Sequence, residues 1–256
     1  MDLPLAAQAA LWGGLSGLAL VLGAAIGYFA RLPQHAVASV MAFGTGVLIS
    51  ALTLELMESA VAGGGLPAAA AGFAFGVCIY SGANAVLALY GARHRKHSRR
   101  PPARARREVS APAASAAIAL GALLDGVPES AAIGVSLLDG KGVALVTVFA
   151  IFISNVPEGL SSAAGMRQAG KSAAAVFSLW TAIALASAGA AWFGYSVLGQ
   201  LGPAYIAFAM ATAAGAILVM IIQTMVPEAF EEMHGVTGPI AAFGFLLAFC
   251  ASAAFG

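Results

Sequence analysis

Two short segments near the middle of the chain each place a proline and a carboxylate inside a long apolar run: Leu124-Asp125-Gly126-Val127-Pro128-Glu129-Ser130 and Ile153-Ser154-Asn155-Val156-Pro157-Glu158-Gly159. A charge at the centre of a membrane-spanning helix costs about 2.5 to 3.5 kcal/mol on insertion scales, so such residues face a cavity or a partner rather than lipid. The rest of the chain makes a membrane the relevant solvent. Hydrophobic residues are 61% of 256 and charged residues 9%, and the mean hydropathy is +0.91, far from a soluble domain. This is the composition of an all-α polytopic membrane protein.

Eight apolar runs are expected to cross the hydrocarbon core, each near the roughly 20 residues a span needs. They cover about 10–30, 36–62, 66–91, 113–138, 143–166, 173–198, 203–226 and 239–255 within one transmembrane domain over 1–256. Met1 to Leu11 carries Asp2 and no basic residue, so it lacks the positive region of a signal peptide and the first span is expected to be kept. The stretch 93–112 holds eight basic residues with His94 and His97, and reads as a water-exposed loop. The positive-inside rule places it in the cytoplasm. Arg31, Arg167 and Lys171 then fall inside as well, Lys141 alone falls outside, and both termini are outside.

Within spans four and five, residues four apart share a helix face. Asp125 and Glu129 therefore project together, as do Ser154 and Glu158, with Asn155 beside them. Pro128 and Pro157 donate no amide hydrogen bond and clash with the carbonyls of Leu124 and Ile153. The freed carbonyl oxygens are tolerable in a membrane only where they meet protein, water or an ion. Spans joined by the short loop 139–142 are antiparallel neighbours, so their carboxylates are expected to converge at mid-depth. Carboxylate, carbonyl, amide and hydroxyl oxygens form a ligand set for a divalent cation. No Lys or Arg occurs in spans four and five before Arg167, so the counter-charge is expected to be protons or metal.

The Pro-Glu-Ser and Pro-Glu-Gly motifs on consecutive spans, each preceded by polar residues, with a basic loop between spans three and four, resemble the Zrt/Irt-like protein (ZIP) family of divalent metal transporters. The likeness covers most of the chain in layout and is specific over about 120–166. The fourth-span pattern of the family is His-Asn-x-Pro-Glu-Gly. Here Asp125 stands in place of the histidine, Gly126 in place of the amide and Ser130 in place of the glycine. The fifth-span pattern matches well. By this resemblance Asp125, Glu129, Ser154 and Glu158 would form one metal site. Glu129, Asn155, Glu158 and a glutamate of the seventh span, taken as Glu228, would form its neighbour. The resemblance implies a 3+2+3 helix arrangement, alternating access and zinc uptake into the cytoplasm. It also implies a symmetry between spans one to three and six to eight that the sequence does not display. An aspartate in place of histidine brings manganese, iron and cadmium into the candidate set.

Glu55 and Glu58 lie toward the outer end of the second span, where Glu55 is a candidate at the metal entrance. Glu231 and His234, with Glu232, follow Glu228 at the cytoplasmic end of span seven and are exit candidates. Met41, Met57, Cys78 and Cys250 read as buried packing residues. No His-Glu-x-x-His occurs, no phosphate-cradling loop is expected, and no enzyme is expected. The alternative reading is a proton-coupled carrier of an organic solute. The expected setting is a bacterial plasma membrane, with the bilayer and a second copy of the chain as partners and no nucleic acid.

Overall fold

The computed structural model describes residues 3–30, 32–89, 111–139, 145–168 and 170–255. Arg31, the loop residues 93–110 with His94 and His97, and Lys141 lie outside them. The described residues form helices and no strand: α1 (Leu5–Phe29), α2 (Gln34–Ala51), α3 (Glu58–Gly64), α4 (Leu66–Leu89), α5 (Ala111–Ser136), α6 (Leu145–Gln168), α7 (Ala173–Ser196), α8 (Pro203–Met220), α9 (Val226–Met233) and α10 (Thr237–Phe255). Two π-helical turns, Leu52–Met57 and Ile221–Met225, join α2 to α3 and α8 to α9 without a break. The helices stop where the sequence supplies a reason. Gly65 and Gly170 take positive φ just past α3 and α6, a conformation costly for residues with a Cβ. The Ser172 hydroxyl accepts from the Ala175 amide at the start of α7, and Pro203 opens α8.

Five described stretches are long and apolar enough to cross a membrane: Leu5–Phe29, Gln34–Gly64, Leu66–Leu87, Ala173–Gln200 and the bent run Pro203–Ala254. α6 carries Ser154, Asn155, Glu158, Ser161, Ser162 and Arg167. It is shielded by other helices, with every residue from Pro157 to Ala163 buried. The helix that carries most of the polar residues is thus wrapped by apolar ones.

Contact between lipid-immersed helices gains little from hydrophobicity and depends on close backbone approach. Glycine supplies it at the main pairings. A Cβ added at Gly23 or Gly27 of α1 would overlap the Val156 or Leu160 carbonyl of α6, and one at Gly159 of α6 would overlap the Leu20 carbonyl. Gly72 and Gly215 do the same between α4 and α8, and Gly46 and Gly244 between α2 and α10. Gly134 and Gly194 bring α5 against α7.

The pairings also repeat. α1 packs on α6 as α7 packs on α5; α4 on α8 as α10 on α2; α2 on α6 as α8 on α5; α2 on α9 as α8 on α3. Each π turn occupies the corresponding place in its run. A displacement of 168 residues relates Trp12 to Trp180 and Ala74-Phe75-Gly76 to Ala242-Phe243-Gly244. The same displacement relates two polar clips at the π turns. Ser252 Oγ donates to Glu55 Oε1 at 2.5 Å, and Asn84 Nδ2 donates to Gln223 Oε1 at 2.7 Å. The symmetry that the sequence did not display is therefore present in the packing.

Two expectations need correction. Spans four and five were expected to be packed neighbours, but α5 and α6 meet only marginally; α5 lies on α7 and α8, and α6 on α1 and α2. Cys78 and Cys250 are unpaired and exposed on the outward faces of α4 and α10, not buried. Met41 is buried as expected, at 1% exposure. The close approach of α1 to α6 makes a direct prediction. Gly23→Ala should destabilise the fold by about 1–3 kcal/mol through overpacking. Gly189→Ala, which meets nothing within 4 Å, should be neutral or slightly stabilising. Thermal unfolding in detergent reads both.

Candidate metal centre

The tripeptide Val-Pro-Glu occurs three times in the sequence, at Val127-Pro128-Glu129, Val156-Pro157-Glu158 and Val226-Pro227-Glu228. Their glutamates are the buried charged side chains among the described residues: Glu129 at 1% exposure, Glu158 at 5% and Glu228 at 7%. Among the described residues no Lys, Arg or His is buried with them. Moving a carboxylate out of water carries a penalty of several kcal/mol unless charge or hydrogen bonds compensate.

α5 and α6 are assigned as helix straight through Pro128 and Pro157. On α6 the motif is fixed from two sides. Gly44 of α2 comes so close to Ser154 that an added Cβ would stand 3.3 Å from its Cα. On the other side Asn155 Nδ2 donates to the Ser16 carbonyl of α1 at 2.9 Å. Ser154 donates locally to the Ile151 carbonyl at 2.9 Å. Its hydroxyl oxygen keeps lone-pair capacity, since a hydroxyl that donates once still accepts.

Glu228 reaches this region from α9. Ser161 Oγ donates to Glu228 Oε1 at 2.5 Å, with Ser161 fully buried. Ser161 lies three residues beyond Glu158, hence on a neighbouring face about 4.5 Å further along the axis. Glu228 is thereby held near the turn that follows Glu158, on the side of the α6 C-terminus. Position 126 has room for a side chain: the nearest atom to an added Cβ is Ser187 Oγ at 3.6 Å.

Asp125 lies on α5, and its side chain is outside the described set. Among the described residues no three His, Cys, Asp or Glu side chains stand close enough to hold a metal together. Glu158 and Glu228 are brought into one neighbourhood through Ser161, while Glu129 is buried on α5. The other candidates separate from this region. Glu55 is half-buried and engaged by Ser252 of α10; Glu58, Glu231 and His234 are exposed, and Glu232 is intermediate. His234 also packs its ring on Phe230 at 5.6 Å. A cavity of about 130 Å³ between α3 and α8, lined by Ser59, Gly63, Ile206 and Met210 among others, contains no carboxylate.

Sequence reasoning found Glu228 from its neighbouring proline, and the third Val-Pro-Glu was the stronger signal. It missed Ser161, which the helical spacing from Glu158 would have picked out. No family model and no curated protein sequence matches the chain. The Ser161–Glu228 bond predicts that Ser161→Ala, which removes a donor from a buried carboxylate, destabilises the fold by about 1–3 kcal/mol. An unchanged thermal midpoint would show that the contact contributes nothing to stability.

Proposed function

We propose that the chain is a transporter of divalent metal cations of the ZIP type, carrying its substrate through the membrane by alternating access. The observation that carries this reading is the burial of three Val-Pro-Glu carboxylates, Glu129, Glu158 and Glu228, inside a bundle of apolar helices. Oxygen ligands of this kind suit zinc, manganese, iron and cadmium, with geometry and availability deciding among them. Asp125, Glu129, Ser154, Asn155, Glu158 and Glu228 are the residues assigned to the metal. Asn155 contributes its oxygen, because its amide nitrogen is engaged by α1. Alternating access in this reading is the movement of one helix group against another around these carboxylates.

In this reading eight spans form a 3+2+3 arrangement with the basic loop in the cytoplasm, both termini outside and zinc moving inward across a bacterial plasma membrane. The repeated pairings support it. An offset of five spans between related helices reverses their direction across the bilayer, as transporters built from inverted repeats require. Glu55 is a clip between helices rather than a free entrance ligand, and Glu231 with His234 lies at the exit.

The test is uptake of Zn, Cd, Mn and Fe into proteoliposomes loaded with a fluorescent chelator. Native protein should take up at least one of these ions. Glu158→Gln and Glu129→Gln should lower the rate at least about tenfold, the scale of losing one ligand interaction, and Glu231→Gln less than about twofold. No flux from folded protein would sink this reading and favour the organic-solute carrier. Asp125→His together with Gly126→Asn should raise the zinc-to-manganese flux ratio several-fold.

A further inference from the structure

At the end of α6 remote from its N-terminus, the Arg167 guanidinium, the backbone of Lys171 and three aromatic rings meet on the end of α1. Arg167 donates through Nη1 to the Tyr28 carbonyl, and its guanidinium carbon lies 5.7 Å from the Tyr28 ring centroid. The Tyr28 hydroxyl in turn donates to the Lys171 carbonyl at 3.2 Å. The turn that carries Lys171 is closed by its own amide, bonded to the Met166 carbonyl at 3.0 Å, and by Gly170 bonded to the Arg167 carbonyl at 2.9 Å. Arg167 is thus held beside Tyr28 through its side chain and Lys171 through its backbone.

The rings continue the surface outward. Phe29 stacks on Phe177 at 5.8 Å and 19°, and meets Tyr28 edge-on at 5.2 Å. Phe29 is 68% exposed, and Arg167 is exposed as well. Among the described residues no acidic side chain is bonded to Arg167, whose guanidinium has five N–H donors and gives one of them to Tyr28. Nor is one bonded to Lys171, whose recorded bonds are through its backbone.

We propose that this corner binds the headgroup of an anionic phospholipid, with Arg167 and Lys171 on the phosphate and Phe29 and Phe177 along the upper acyl chains. Positive charge without an acidic partner, next to exposed rings at the end of apolar helices, is complementary to an anionic headgroup above hydrocarbon. Guanidinium matches phosphate oxygens in a fork, and ammonium adds a point charge. The lipid would hold the ends of α1, α6 and α7 together, on the helix that carries Ser154, Asn155 and Glu158. The proposal rests on the chain being membrane-embedded and not on its carrying metal.

The test uses the full chain in a non-ionic detergent, read by thermal unfolding and by native mass spectrometry without any metal. Phosphatidylglycerol should raise the midpoint by about 5 °C, as ligand linkage for a site well above its Kd implies, and should remain bound in the spectrum. Phosphatidylcholine and inorganic phosphate should do neither. Arg167→Gln combined with Lys171→Gln should abolish the shift and the adduct, while Lys171→Arg keeps both. Lys171→Gln alone retains the Arg167–Tyr28 contact, so it should fold and show at least a several-fold weaker adduct. An equal shift with phosphatidylcholine, a phosphatidylglycerol shift that survives in the double variant, or an adduct unchanged in Lys171→Gln would overturn the proposal.

Discussion

Burying carboxylates away from water is the constraint around which this fold is arranged. Glu129, Glu158 and Glu228 are all buried, and among the described residues no Lys, Arg or His is buried with them. Part of the compensation comes from hydroxyls. Ser161 provides one such hydrogen bond to Glu228. This explains why α6, the most polar of the long helices, is also the most completely enclosed.

Enclosure in turn depends on backbone proximity. Where an aqueous protein would pack large side chains, these helices cross at glycine, so that carbonyl oxygens and Cα atoms touch directly. α1 covers one side of α6 through Gly23, Gly27 and Gly159, and α2 covers another at Gly44. The two π turns break the regular ladder at related places, each held by a polar pair across to an outer helix. Such turns are frequent at functional positions, and the second lies immediately before the Val-Pro-Glu that presents Glu228.

Much of this was legible in the chain. Apolar run lengths gave the helices nearly to their ends, and prolines with carboxylates inside those runs identified Glu129, Glu158 and Glu228 as the buried acids. What stayed hidden was spatial. Helices adjacent in sequence need not be packed partners, and the short 139–142 connection made α5 and α6 look closer than they are. The repeat was hidden because lipid-facing positions accept any apolar residue. Only Ala74-Phe75-Gly76 with Ala242-Phe243-Gly244, a tryptophan pair and the polar clips retain a common pattern across the 168-residue displacement. Ser161 escaped notice because a serine in a membrane helix is ordinary until its partner is seen. The outward-facing cysteines were misjudged for a related reason, since lipid exposure and burial favour the same side chains.

The central claim is that the buried glutamates exist to hold a divalent cation, and equilibrium binding to the purified chain tests it most directly. Radioactive cadmium should bind saturably, be displaced by zinc, and release protons in proportion to the metal bound. Both signals should be lost when Glu158 and Glu228 are changed together to glutamine in a variant that still folds. Cadmium binding that is unaltered in that variant, or absent from folded native protein across the micromolar range, would contradict the account.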